Sequence, residues 1–166
     1  MEGARYVASP NCDVRPVDAR IELIVVHNIS LPPGEFGGPG VVDLFLNRLR
    51  ADAHPYYAGV AHLRVSAHFL IRRDGELLQF VRCTQRAWHA GVSNWHGRER
   101  CNDFSIGIEL EGADEIPFED VQYEQLRQVI AALRSRYPIT DVRGHDDISP
   151  GRKTDPGSAF DWSRII

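Results

Sequence analysis

Residues 104–110, Phe104-Ser105-Ile106-Gly107-Ile108-Glu109-Leu110, carry the pattern that decides the fold. Apolar side chains alternate with small or charged ones, which is the period of a strand. In that strand Phe104, Ile106, Ile108 and Leu110 point into a core, and Ser105, Gly107 and Glu109 share the other face. Small residues beside a carboxylate leave room over that face, as a cleft needs. An exposed sheet face with a solvated glutamate is the ordinary alternative. It is weakened here because Glu109 interrupts an apolar run in what reads as a central strand. Partial desolvation there raises a carboxyl pKa toward a value useful to a general base.

Other elements gather around this strand. Ile21–Val26 (IELIVV) is a short β-branched run that reads as a buried strand ending at His27. Apolar runs at 67–72 and 76–81 flank Asp74-Gly75, a hairpin signal. A further short strand is expected near 139–143. Residues 41–50 suit a short helix. The clearest helix covers 117–137, where Leu126, Val129, Ile130, Leu133 and Tyr137 make one apolar stripe that Pro138 terminates. The first twenty residues read as a polar surface lead-in. The glycine-rich loop 31–40 lacks the ending of a phosphate-binding loop. Strands and helices alternate unevenly with at least one hairpin. The expected fold is α/β, a mixed central β-sheet flanked by α-helices, in a single domain over 1–166.

Composition narrows the function. The chain has 166 residues, 43% hydrophobic and 25% charged, enough for one buried core. A net charge of −4 argues against a general nucleic-acid surface. No apolar run approaches the roughly 20 residues of a membrane helix. The N-terminus has no apolar signal core, so export by that route is not expected. Cys12, Cys83 and Cys101 are widely spaced and odd in number, so they read as reduced thiols of a cytoplasmic protein.

Seven histidines then draw notice. His27 closes a strand, where α/β folds place reactive groups, yet taken alone it is better read as a core histidine bonded to backbone. His145, Lys153 and Asp155 lie in GHDDISPGRKTDPG, which is too polar and turn-rich for a core. Pro156 keeps Asp155 extended, so Lys153 and Asp155 point to one side. A surface salt bridge would explain that pair. So would a metal ligand with a cation beside it: two imidazoles and a carboxylate suit catalytic zinc and leave a fourth position open. Such a site keeps one net positive charge and remains a Lewis acid. His68 reads as an internal hydrogen-bonded residue or a partner to a ligand. His89 suits a cleft wall, and His54, His62 and His96 read as structural or exposed.

Four stretches, VVHNISLPPGEFGG, AHLRVSAHFLIRRDGELLQFV, RAWHAGVSNWHGRERCNDFSIGIELEG and GHDDISPGRKTDPGSAFDW, together resemble the AmpD type of N-acetylmuramyl-L-alanine amidase. That family belongs with phage-lysozyme-like amidases and peptidoglycan recognition proteins. The resemblance runs from about Arg15 to Trp162. It implies zinc (Zn2+) ligands at His27, His145 and Asp155, a catalytic glutamate at Glu109 and a catalytic lysine at Lys153. The implied reaction is hydrolysis of the amide joining the lactyl group of 1,6-anhydro-N-acetylmuramic acid to L-alanine of a stem peptide. Zinc would activate water, Glu109 would move the proton to the leaving amine, and Lys153 would stabilise the oxyanion. Arg64 and Arg100 are candidates for peptide carboxylates, Asn28 for a peptide hydrogen bond, and Trp95 for packing on sugar or peptide. Trp88 and Trp95 fit ordinary packing as well. The expected partner is a small soluble muropeptide met by a cytoplasmic monomer, with neither nucleic acid nor membrane involved. The rivals are a lytic amidase for polymeric wall and a non-catalytic peptidoglycan-binding module. Non-catalytic relatives characteristically lose a zinc ligand, and all three are present here.

Overall fold

In the computed structural model residues 3–165 are described, so residues 1, 2 and 166 of the expected domain lie outside the described residues. Six strands form the main sheet. They are β1 (Arg5–Tyr6), β2 (Leu23–Ile29), β3 (Phe69–Ile71), β4 (Leu77–Gln79), β5 (Ser105–Glu111) and β6 (Asp141–Gly144). Their spatial order is β1-β4-β3-β5-β2-β6. Strands β3, β5, β2 and β6 are parallel, and β4 returns antiparallel to β3 through the Asp74-Gly75 turn. The sheet is thus mixed, as the hairpin signal required. β5 is buried along its whole length.

Three α-helices complete the frame: α1 (Gly40–Phe45), α2 (Asp120–Arg134) and α3 (His145–Ile148). Leu126, Val129, Ile130 and Leu133 of α2 join Ile24, Val26, Ile106, Ile108 and Leu110 in one core on a single face of the sheet. The helix is shorter than the expected 117–137. Gln122 accepts the Glu119 N–H at 3.0 Å and donates to the Glu111 carbonyl at 3.0 Å, which starts α2 at Asp120 and pins it to β5. Residues 135–137 turn back onto the Ala131 and Leu133 carbonyls ahead of Pro138. The helix expected over 41–50 ends at Phe45, before Asn47 takes a left-handed φ of 57°.

The opposite face carries two apolar groups. Val41, Leu44 and Phe45 of α1 pack with Leu70, Leu78 and Phe80. Ile148 of α3 packs with Leu23, Val25, Cys101 and Phe104. Phe104 therefore sits with this second group and not with the α2 core, contrary to the simple alternation. It follows the 3-10 turn Cys101–Asp103 with ψ near 15°, so the extended conformation begins only at Ser105.

The first twenty residues are also more than a surface lead-in. Asn11 is buried, and Cys12–Val14 pairs with Gln85–Ala87. Arg15 enters the body and donates to the carbonyls of Cys83, Asn102, Asp103 and Ser105 at 2.8–3.1 Å. A polar segment can be buried when its groups are paired in this way. The three cysteines are free thiols, as their spacing implied.

Candidate active site

The parallel strands deliver their functional groups toward their carboxyl ends, the usual place for a site in such sheets. His27 lies on β2 directly across from Glu109 on β5. His145 opens α3 immediately after β6. Lys153 and Asp155 come from the tail loop, which Asp146 N–H ties to the Asp155 carbonyl at 3.0 Å. Gly144 makes that junction possible: a Cβ there would lie 2.8 Å from Pro156 Cδ.

Three atoms of a kind that can bind a metal converge. His27 Nδ1 is 3.0 Å from His145 Nδ1 and 2.9 Å from Asp155 Oδ2, and His145 Nδ1 is 3.0 Å from the same oxygen. The far nitrogens fix what these atoms can be. His145 Nε2 faces the Ala90 carbonyl at 3.0 Å, so it carries the proton and leaves a lone pair on Nδ1. That lone pair meets a carboxylate oxygen. Two acceptors this close repel unless a proton or a cation lies with them. Burial pushes His27 down to about 4 against the pull of Asp155, favouring the neutral imidazole that binds metals. Burial pushes Asp155 up, but its contacts with the His145 and His27 rings outweigh that and hold it well below the usual carboxylate range. Two imidazole nitrogens and a carboxylate oxygen, all within 4.8 Å of one another, are a donor set that fits zinc.

Glu109 stands beside this triad with a different character. It is buried, and its Oε2 has no hydrogen-bond partner among the described residues. Burial raises its pKa well above the ordinary value; Asp155 adds to the rise and Lys153 opposes it. Glu109, Lys153, His27, His145 and Asp155 all line one cleft of about 560 Å³. The five residues singled out for metal and catalysis are therefore brought together.

The expected substrate contacts divide. Asn28 lines the cleft, but its amide nitrogen already donates to Asp114 Oδ1 at 2.6 Å and to the Pro156 carbonyl at 3.0 Å. Only its side-chain oxygen is left to meet a ligand. Arg64 folds onto the carbonyls of its own loop, although Leu63 and Val65 on either side line the cleft. Arg100 is exposed and borders a separate hollow with Arg152. Trp95 packs against the second apolar group, with Arg143 over its ring, outside this cleft.

Sequence reasoning passed over Asp114 and left Trp88 as a packing residue, yet both line the cleft. It placed His89 on the cleft wall correctly but missed its contact with a ligand, His27 Nε2 to His89 Nδ1 at 3.0 Å. A signal for that contact was present in Gly107. A glycine inside a strand marks close approach of another group. Here a Cβ would sit 2.4 Å from the His89 ring. His68 is internal, as expected: it accepts the Gly107 N–H at Nδ1 and faces the Gln85 carbonyl with Nε2.

Comparison with known proteins agrees with this geometry. A sequence profile described as N-acetylmuramoyl-L-alanine amidase matches residues 17–158. The 1,6-anhydro-N-acetylmuramyl-L-alanine amidase AmpD of Citrobacter freundii is 61% identical, covering 98% of this chain and 88% of the relative. A crystal structure of an AmpD selenomethionine derivative superposes with a TM-score of 0.97 at 60% identity, over 99% of this chain and 93% of that one. The amidase AmiD of E. coli, solved with anhydro-N-acetylmuramic acid-L-Ala-D-gamma-Glu-L-Lys, gives a TM-score of 0.63 at 30% identity, over 91% of this chain and 59% of that one. With a profile match over most of its length and a relative of this identity, the chain belongs to the N-acetylmuramoyl-L-alanine amidase family.

Proposed function

We propose that this chain cleaves the amide between the lactyl group of 1,6-anhydro-N-acetylmuramic acid and L-alanine of the stem peptide. Residues 1–166 act as one zinc-dependent amidase domain, a cytoplasmic monomer that meets small soluble muropeptides in peptidoglycan recycling. The name of the Citrobacter relative supports the anhydro sugar, and the AmiD complex supports a muropeptide in this kind of cleft. Among the described residues no helix is long and apolar enough to cross a membrane. The observation that carries the reading is the triad of converging acceptors beside a buried carboxyl with an unpaired oxygen.

His27, His145 and Asp155 hold the metal. When bound, zinc supplies Lewis acidity at the head of the cleft. Glu109 takes a proton from the attacking water at Oε2 and returns it to the departing amine. Its burial raises the carboxyl pKa, which makes it a stronger base for the first transfer and holds the proton on it until the amine departs. Lys153 brings positive charge to the oxygen of the scissile carbonyl as that oxygen becomes negative. The Asn28 side-chain oxygen accepts a peptide N–H. Arg64 and Arg100 meet stem-peptide carboxylates from outside the cleft.

The test is metal analysis joined to a mass-spectrometric assay on a soluble anhydromuropeptide, with purified sacculi as the second substrate. We expect one zinc per chain, release of free peptide from the soluble substrate, and loss of that release when a chelator removes the metal. Cleavage that survives complete metal removal overturns the metal reading. Release from sacculi alone assigns the chain to polymeric wall, and binding without cleavage by the zinc-loaded protein assigns it to a non-catalytic module.

A further inference from the structure

The two ligand histidines use their outer nitrogens on neighbouring residues of one short loop. His27 Nε2 meets His89 Nδ1 at 3.0 Å, and His145 Nε2 donates to the Ala90 carbonyl at 3.0 Å. One side chain holds both of those residues. Asn102 Oδ1 accepts the N–H of His89 at 3.1 Å and the N–H of Ala90 at 2.8 Å. Asn102 does not line the cleft. Its own carbonyl is gripped by the half-buried Arg15 at 3.0 Å. From the front, the His89 ring is stopped by Gly107, and its Nε2 lies 3.2 Å from Ser105 Oγ. From the far side, Arg152 also donates to the Ala90 carbonyl at 2.7 Å.

We propose that Asn102 is a positioning residue for the metal, because it fixes at once the outer hydrogen bonds of both histidine ligands. The inference rests on the zinc reading given above. Its physical basis is that a ligand imidazole is oriented by what its other nitrogen bonds. Here the two orienting groups are adjacent in the chain and share one acceptor. Removing that oxygen leaves two backbone N–H groups unpaired and lets His89 and Ala90 move together. Both ligands then lose their orientation in one step, although no atom of the cleft has been changed.

The experiment measures zinc affinity by competition with a chromophoric chelator, and the visible spectrum of the cobalt(II)-loaded protein, for parent, Asn102→Ala and Asn102→Asp. Asn102→Ala is expected to bind zinc about 10- to 100-fold more weakly and to shift the cobalt bands. Asn102→Asp keeps an acceptor oxygen and is expected to restore both. If Asn102→Ala does not fold, His89→Leu and His89→Asn give the same contrast, since the asparagine oxygen can replace Nδ1 as acceptor for His27. Unchanged affinity in Asn102→Ala overturns the proposal, as does an equal loss in Asn102→Ala and Asn102→Asp. A parent chain that takes up no zinc overturns the metal reading itself.

Discussion

Glu109 and Glu111 stand two residues apart on the same face of β5, both buried, and they are treated in opposite ways. Glu111 accepts from Arg72 Nη1 at 3.1 Å and from the backbone N–H groups of Gly37 and Arg73 at 2.8 and 3.2 Å. It ties the loop after β2 and the β3–β4 turn to the end of the central strand. Glu109 has an oxygen that nothing among the described residues satisfies. A buried carboxyl costs folding free energy unless it is paired. In Glu111 pairing offsets that cost, whereas in Glu109 the cost persists and keeps a proton acceptor available in the cleft. One strand thus carries a structural anchor and a carboxyl left unpaired at the cleft, and the difference is made by neighbours rather than by the residue type.

Substitution can separate the two roles. The largest effect is expected from Glu109→Gln: turnover on anhydromuropeptide should fall by about 10²- to 10⁴-fold, the usual scale for a lost acid–base group. Zinc content should stay near one per chain, and stability should hold within about 1 kcal/mol. Lys153→Ala should follow the same pattern. Loss of zinc in either variant would move that residue into the metal site, and normal turnover would remove it from the mechanism. Glu111→Ala should do the reverse. The change removes one partner of Arg72, which keeps Gly38 and Glu76, and leaves two N–H groups without theirs, so urea denaturation should show a loss of about 2–3 kcal/mol. A Glu111→Ala protein as stable as the parent would erase the contrast.

Gly107→Ala tests the same face of the strand two residues before Glu109. Its Cβ must displace His89, so a loss of about 1–3 kcal/mol is expected, with weaker zinc binding measured by chelator competition. Unchanged values for both would show that the ring is free to move. A smaller effect concerns pH. Burial, with Arg15 next in weight, pushes His68 down to about 3. The groups facing it are Arg15 at 3.1 Å and the His89 ring at 5.8 Å. The unfolded chain takes up a proton near the ordinary value of about 6.5 that the folded chain refuses until about pH 3. Stability from this group is therefore intact above about pH 6.5 and falls below it, by up to about 1.4 kcal/mol per pH unit. His68→Gln should flatten that slope between pH 6 and 4 in urea titrations; equal slopes would place the titrating group elsewhere.

Much of this was legible in the chain. The alternation from Ser105 onward, the Asp74-Gly75 hairpin and the stripe on α2 depend on local periodicity, and they appear where the residues put them. The tail motif also yielded, because Lys153 and Asp155 are close in sequence and share one side. What stayed hidden depends on contacts between distant segments. Arg15 reads as a surface residue until four carbonyls from residues 83–105 surround it. Glu111 carries no local mark of being paired. Phe104 changes group because a preceding turn alters one ψ angle. Asn102 acts through backbone groups, which composition cannot reveal.

The separation of the ligands has a further consequence. His27 and Asp155 are 128 positions apart and meet only across the finished sheet. During synthesis the growing chain exposes histidines early but cannot enclose a metal with all three ligands until residue 155 has left the ribosome. On the proposed zinc reading, metal capture would be deferred until every strand of the main sheet has been made, and the metal would join the first long strand to the tail loop. In the cell, zinc shortage would then act as a quality defect of the whole protein, felt by proteases as well as by substrate.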